Sequence, residues 1–284
     1  MCGHWFFESV LFLNQCCYQF IMNLVDVHAH LTDEKFKADL DMVLHRAKEA
    51  GVKAVICNGT NPINNREILA LAKQHDLIKV ALGAYPTDAL GLEETETGLV
   101  PSKQPWDFDK EVDFIESQKN HIVAIGEVGL EYKHVTDPLL RKLQVQNLSK
   151  ILALAERIKK PVILHTRGAE AETIELLQSS SNKKVVLHCF GGKKSLVRKA
   201  NDLGYSLSIP PVCVRLQHFG MVVDESSVSQ LLTETDSPWL SHVAMERNEP
   251  KNVLESIKFI ANKKKFDVEE TANSIFLNYQ RLFL

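Results

Sequence analysis

From Leu24 onward, short apolar runs rich in Val and Ile alternate with longer stretches that are apolar on one face only. The short runs are Leu24 to Val27, Ala54 to Cys57, Ile78 to Leu82, Val123 to Gly126, Val162 to Leu164, Val185 to Leu187, Tyr205 to Ser208 and Leu231 to Thr233. They predict eight strands in the βαβα rhythm of a parallel sheet. Between them, Phe36, Leu40, Val43, Leu44 and Ala47 recur at helical spacing and Gly51 follows as a stop. Leu139 to Ile158 is a long amphipathic run ended by Pro161, and Ile174 to Leu177, Leu196 to Leu203 and Val253 to Ile260 repeat the pattern. Asp267 to Leu282 predicts a final extra helix.

From Met22 to the end, eight such units average about 33 residues, the size of a βαβ unit. The total is close to the roughly 250 residues of a (β/α)₈ barrel. The expected fold is therefore an α/β protein, a single-domain (β/α)₈ TIM barrel over residues 22–284. A doubly wound open sheet is the main rival, but neither GxGxxG nor GxxxxGK[ST] follows the first strand. No linker rich in Gly, Ser or Pro divides the chain, and Gly91 to Pro105 reads as a loop after the third strand.

Composition narrows the class. In 284 residues the hydrophobic fraction is 45% and the charged fraction 24%, as in ordinary water-soluble proteins. The net charge of −3 argues against whole-surface attraction to nucleic acid but leaves room for a local basic patch. The short basic runs at Lys159-Lys160, Lys183-Lys184, Lys193-Lys194 and Lys263 to Lys265 read as solvated helix ends and loops. Six cysteines without a CxxC pair exclude a zinc knuckle and fit a reducing, cytoplasmic setting. Residues 1–21 are apolar but interrupted by Glu8, Asn14, Gln15 and Gln19, and carry no Lys or Arg. That is neither a secretory signal nor a confident membrane span. Residues 1–21 are read as a non-native or disordered extension, with Met22 as the natural start.

The chemistry lies at the strand ends, where the active sites of such barrels form. The first strand ends in Asp26-Val-His28-Ala-His30 and the fourth in Gly126-Glu127-Val-Gly129. The fifth ends in His165, the sixth in His188 and the eighth in Glu234-Thr-Asp236. A lone His-x-His is a weak signal and each His alone could be a satisfied core residue; the convergence of five strand ends is what carries weight. Side chains alternate along an extended segment, so His28 and His30 face the same way, and Glu234 and Asp236 share a face. Imidazole and carboxylate suit Zn²⁺, Mn²⁺, Fe²⁺ or Co²⁺, and carboxylate with water also suits Mg²⁺. Six donors exceed the usual three of a catalytic zinc. They match two ions bridged by a carboxylate, with a hydroxide between them.

These motifs resemble those of the TatD family of metal-dependent deoxyribonucleases. The likeness rests on Val25-Asp-Val-His-Ala-His30, Ala124-Ile-Gly-Glu-Val-Gly-Leu130, Pro161-Val-Ile-Leu-His-Thr-Arg167, Leu187-His-Cys-Phe-Gly191, Glu234-Thr-Asp-Ser-Pro238 and Arg247-Asn-Glu-Pro250. It runs from Leu24 to the final helix, and Ser208-Ile-Pro-Pro211 looks like the branch of the third animal TatD-domain protein. The resemblance implies metal ligands at His28, His30, Glu127, His165, His188 and Asp236, with Glu127 bridging two ions and Glu234 holding a third in some members. It implies hydrolysis of DNA, often from a 3′ end, with Zn²⁺, Mg²⁺ or Mn²⁺. Asp236 and Glu127 are the expected catalytic carboxylates, Asp236 orienting the nucleophile and accepting its proton.

Two departures stand out. Gly83-Ala-Tyr85-Pro replaces a family Gly-x-His-Pro, and Glu131 replaces an Asp. The expected substrate contacts are Arg167 and Arg247, as phosphate grips or structural ion pairs, and Tyr85, as a base-stacking ring or a packing residue. Glu234 is either a third-ion ligand or a partner orienting a histidine. The expected partner is single-stranded DNA or a 3′ end, with no membrane and a monomeric enzyme. The rival function is a barrel amidohydrolase or lactonase, whose fourth strand often carries a carboxylated Lys where Glu127 stands here.

Overall fold

The computed structural model describes residues 22–92 and 106–284. The expectations for residues 1–21, and for most of the loop from Gly91 to Pro105, fall outside them. Among the described residues, eight strands form one parallel sheet in sequential order. They are β1 (Leu24–Ala29), β2 (Val52–Asn58), β3 (Ile78–Leu82), β4 (Ala124–Gly129), β5 (Val162–His165), β6 (Val185–Leu187), β7 (Ser206–Ile209) and β8 (Leu231–Thr233). All lie within two residues of their predicted bounds except the end of β4, which runs three residues further, to Gly129. β1 and β4 are buried along their whole length, which is why they read as unbroken rather than alternating apolar runs.

The ring is closed by side chains and irregular backbone rather than by a regular ladder. Past the end of β8, the backbone N–H of Asp236 donates to the His28 carbonyl (2.7 Å) and that of His30 to the Ser237 carbonyl (2.8 Å). Thr233 Oγ1 donates to the Val25 carbonyl (2.7 Å). Buried Asp26 accepts from both the backbone N–H (2.8 Å) and the hydroxyl (2.5 Å) of Thr235. The barrel joint and the mouth of the barrel are thus the same residues.

The helices of the outer layer are α1 (Leu40–Glu49), α2 (Pro62–Ala72), α3 (Phe108–Ser117), α4 (Pro138–Ile158), α5 (Glu170–Gln178), α6 (Lys194–Asp202), α7 (Gln217–Glu225), α8 (Val253–Lys264) and α9 (Val268–Phe283). Their starts are chemically marked. Asn61 accepts from the Asn64 N–H ahead of Pro62, Asp137 from the Leu139 N–H ahead of Pro138, and Asp267 from the Glu269 and Glu270 N–H groups. Phe36 belongs to a separate 3₁₀ turn, Glu34–Phe36, rather than to α1; Asp33 caps that turn, and α1 begins only at Leu40. The final extra helix is present as α9, which packs against β1 and β8. No helix among the described residues is long and apolar enough to cross a membrane.

Candidate metal centre at the mouth of the barrel

Glu127 is the middle of the site. It stands on β4, and its backbone is held by neighbours on both sides: its N–H donates to the Gly59 carbonyl (2.8 Å) and its carbonyl accepts from Ala84 N–H (3.1 Å). Gly83 makes this approach possible. A Cβ there would lie 2.3 Å from the Glu127 carbonyl oxygen and 2.5 Å from its nitrogen. The Gly126–Glu127 peptide is cis.

The two carboxylate oxygens of Glu127 face different histidines. Oε2 is 3.4 Å from both His28 Nε2 and His30 Nε2. Oε1 is 3.0 Å from both His165 Nδ1 and His188 Nε2. Asp236 joins the first group, its Oδ1 lying 3.6 Å from His28 Nε2 and 3.4 Å from His30 Nε2. The expectation that alternation brings His28 and His30 together holds, with their Nε2 atoms 3.1 Å apart. Of the implied ligands, His30, Glu127, His165, His188 and Asp236 line one space of about 30 Å³, room for one or two water-sized occupants, and His28 stands behind it against His30 and Glu127.

The donor set fits divalent cations. Five of the six edges joining His28 Nε2, His30 Nε2, Glu127 Oε2 and Asp236 Oδ1 are 3.1–3.6 Å. Donor atoms at these separations can share one ion at the roughly 2.0–2.2 Å of zinc–nitrogen and zinc–oxygen bonds. On the other side, Glu127 Oε1, His165 and His188 offer three donors and leave room for a further occupant. The electrostatics agree. Burial works against charge on Glu127, but His188, His28 and His165 outweigh it and hold the carboxyl well below its usual range. Asp236 is lowered in the same way, chiefly by His30 against the cost of burial. Burial opposes a proton on His30, yet Asp236 and Glu127 lift it to about 9. His28, fully enclosed and stacked on His188 at 3.9 Å, is pushed down, mainly by burial. Two buried anions among four imidazoles need positive charge, which either protons or metal ions can supply, in competition.

Around this centre lies a layer that the sequence reading missed. His165 turns Nδ1 to Glu127 and its other nitrogen, Nε2, to Glu131 Oε2 at 2.9 Å. Glu131 is fully buried and is itself held by the backbone N–H groups of Lys133 (2.8 Å) and His134 (3.2 Å). A carboxylate on Nε2 makes that nitrogen the protonated one and leaves the Nδ1 lone pair facing inward. The signal was its place two residues past Gly129, at the end of β4.

Glu234 accepts from Cys189 N–H (2.8 Å) and Ser208 Oγ (2.8 Å) and lies 3.4 Å from His188 Nδ1. Among the described residues His188 Nδ1 makes no hydrogen bond, and His28, His188 and Glu234 offer ligand atoms within 4.8 Å of one another, so the geometry accommodates either expected role of Glu234. Glu234 and Asp236 do not share a face as expected. β8 stops at Thr233 and Asp236 has a left-handed φ of 53°, which breaks the alternation and turns its carboxylate to His28 and His30.

The substrate contacts divide. Arg167 lines the pocket with its side chain 44% exposed, 3.8 Å from Glu131, so its guanidinium stands at the rim. Tyr85 also lines it but is only 3% exposed, edge-on to His165 with its hydroxyl 3.4 Å from Nε2; it packs within the site rather than offering an open ring. Arg247 is elsewhere. It grips Asp39 with two bonds of 2.7 Å, bonds Glu249 at 3.0 Å and the Lys35 carbonyl at 2.6 Å, and lies over Phe36. Of its two expected roles the structural ion pair is the one realised, because its donors are already committed. Trp239, absent from the sequence reading, joins the lining beside His30.

Residues 25–284 match the family model described as TatD related DNase. The human protein named deoxyribonuclease TATDN3 is 33% identical over 265 residues, 92% of this chain and 95% of that one. A protein of Erwinia amylovora named 3'-5' ssDNA/RNA exonuclease TatD is 31% identical over 273 residues, 92% of this chain and 99% of its own. Among solved structures, the TatD homologue YJJV of Escherichia coli superposes with a TM-score of 0.80 at 25% identity, covering 93% of this chain and 98% of that one. Motifs, barrel and match over nearly the whole length agree, and the chain belongs to the TatD-related DNase family.

Proposed function

We propose that this protein is a divalent-metal-dependent phosphodiesterase that cleaves DNA, from a 3′ end of a single strand. The observation that carries the reading is the division of Glu127 between two pairs of imidazoles, with Asp236 beside one pair. His28, His30, Glu127 and Asp236 would hold one ion and Glu127, His165 and His188 a second, with Zn²⁺, Mg²⁺ and Mn²⁺ as the candidates. Glu234 accepts from Cys189 and Ser208 and, with His28 and His188, forms a third group able to hold an ion, so it serves either as that ligand or as the partner orienting His188. Bound ions would supply charge stabilisation for the phosphate and an acidified water as nucleophile.

The chain's own groups do the rest. Asp236, kept ionised by its imidazole neighbours, accepts the proton of the attacking water. Arg167 at the rim grips a phosphate oxygen and sets the backbone of the substrate across the pocket. Glu131 keeps His165 in its inward tautomer. Every donor comes from one chain, so a monomer suffices. Reading Glu127 as the bridge, in place of a carboxylated Lys, favours the phosphodiesterase over the lactonase.

The test is a chelator-stripped protein reloaded in turn with Mg²⁺, Mn²⁺ and Zn²⁺. It would be given single-stranded and duplex DNA labelled at either end, RNA, a lactone and a cyclic amide. Expected are stepwise loss of 3′ nucleotides from single-stranded DNA, dependence on added metal, and a fall of about 10²–10⁴-fold in Asp236→Ala. Turnover of the lactone or amide alone, or full nuclease activity in Asp236→Ala, would overturn it.

A further inference from the structure

Asp236 is aimed by a turn that its own backbone does not favour. Its φ of 53° lies in the left-handed region, which a residue other than glycine keeps only where neighbouring bonds fix it. In an extended continuation of β8 its carboxylate would fall on the side of Glu234 instead of reaching His28 and His30. The bonds that hold the turn can be traced one peptide at a time. Asp236 N–H donates to the His28 carbonyl (2.7 Å), and the Asp236 carbonyl accepts from Trp239 N–H (2.9 Å). Ser237 N–H donates to Thr235 Oγ1 (3.2 Å), and the Ser237 carbonyl accepts from His30 N–H (2.8 Å). The carbonyls of Thr235, before Asp236, and of Pro238, after it, both go to one residue. Asn248 donates its side-chain amide to Thr235 (2.8 Å) and its backbone N–H to Pro238 (3.0 Å). It is fully buried and is not part of the pocket lining. Its amide cannot be reversed. The oxygen accepts from Glu249 N–H (3.0 Å), which can only donate, and from Asn252 Nδ2 (2.8 Å), while the Thr235 carbonyl can only accept. Closing an ordinary loop needs one such tie. Two ties placed on either side of the left-handed residue fix its direction as well.

We propose that Asn248 is the positioning residue of Asp236: it grips the turn on both sides and so holds the carboxylate at His28 and His30. This rests on the reading of Asp236 above as a ligand of one ion and the acceptor of the water's proton. The amide donor on the Thr235 carbonyl is the part that matters, because Thr235 is the last residue before the backbone turns. Without that donor a buried carbonyl is left unpaired, and the turn relaxes to recover a partner for it. The carboxylate then moves off His28 and His30. The loss falls on the ion held by His28, His30, Glu127 and Asp236, and on the chemical step. Arg167 stands on the far side of the pocket lining from this turn's backbone bonds, so the grip on the phosphate is kept.

The experiment is a cycle of Asn248→Asp, Asp236→Ala and the double variant. Each is assayed on single-stranded DNA with metal, and by calorimetric titration of Mn²⁺ into stripped protein. Asn248→Asp keeps the volume and the acceptor but turns an oxygen to the Thr235 carbonyl; Asn248→Ala replaces it should the buried charge prevent folding. Expected in the single variant is a fall of roughly 10- to 100-fold in kcat with little change in KM. The site that includes Asp236 should weaken by a similar factor while the other stays near native. In the Asp236→Ala background the same substitution should cost nothing further in kcat or affinity, because the residue it positions is gone. Asn252→Ala removes a bond from the same network but leaves the Thr235 carbonyl paired. It should lower Tm and keep the wild-type kcat, which separates loss of stability from loss of aim. Asn248 variants with native kcat and affinity, or losses that multiply in the double variant, refute the positioning role and leave the phosphodiesterase intact. Full activity in Asp236→Ala, or a wild type that cleaves no strand, refutes both.

Discussion

Replacing Glu131 by Gln tests whether a carboxylate that touches neither substrate nor its phosphate sets the affinity of the site. In the native chain Glu131 Oε2 receives the Nε2 proton of His165 at 2.9 Å, so the Nδ1 lone pair points at Glu127 Oε1, 3.0 Å away. An amide fills the same volume and its oxygen can still accept from the Lys133 and His134 N–H groups. It no longer dictates the tautomer, since its NH₂ can donate to Nε2 and drive the proton to Nδ1. Loss of such a partner typically weakens metal binding 10- to 100-fold, about 1.4–2.7 kcal/mol. The loss should fall on the side formed by Glu127 Oε1, His165 and His188. The assay is competition with a chelator of known affinity, or calorimetric titration of Mn²⁺ or Zn²⁺ into stripped protein, which should show one weakened site and one near-native site. If both sites keep wild-type affinity within twofold while the fold is intact, the orientation of His165 does not depend on Glu131 and the tautomer argument fails.

Gly83→Ala should leave a folded protein with crippled catalysis. Its Cβ would sit 2.3 Å from the Glu127 carbonyl oxygen, so β4 must shift at Glu127. A displacement of about 1 Å is expected to cost about 10²-fold in kcat, and wild-type turnover would show that the strand yields elsewhere. Arg247→Ala should lower Tm by about 2–4 °C at pH 7 without changing the pocket. Its acid dependence has a definite sign. Asp39 is lowered from 3.8 first by its bond to Arg247, and Glu249 from 4.5 because Arg46 and Arg247 outweigh burial. Carboxylates depressed in the fold stabilise it fully above those ordinary values and lose that contribution as the pH falls from there through the lowered folded ones. The wild type should therefore shed the difference from Arg247→Ala progressively as the pH falls below about 5, and a gap that stays constant down to acid unfolding in thermal melts would disprove the assignment.

The strands were legible because burial on both faces leaves continuous apolar runs, and the candidate donors because they follow those runs directly. Helices α2, α3 and α7 were not singled out. The inner face of α2 includes buried Asn65, which bonds the Gly83 carbonyl and Glu111, so its core side does not read as apolar. α7 carries buried Gly220 in its middle, and α3 follows the irregular stretch from Gly91. Arg247 was ambiguous for a different reason. Its partner Asp39 is 208 positions away, and no local pattern encodes that meeting. Glu131 read only as a departure from a family Asp because its role depends on which nitrogen of His165 it meets, a matter of ring orientation. The turn of Asp236 away from Glu234 depends on one left-handed residue that breaks a two-residue alternation.

The joint between β1 and the segment after β8 has a temporal consequence. A growing chain that has emerged only as far as His188 already holds His28, His30, Glu127, His165 and His188, yet lacks Asp236 and Ser237, whose backbone bonds to His28 and His30 seat the first two histidines. Such an intermediate can gather ions loosely but has no complete cutting centre. Competence arrives with the last strand, so a hydrolase of polynucleotides would stay silent while still attached to the message and ribosome that make it.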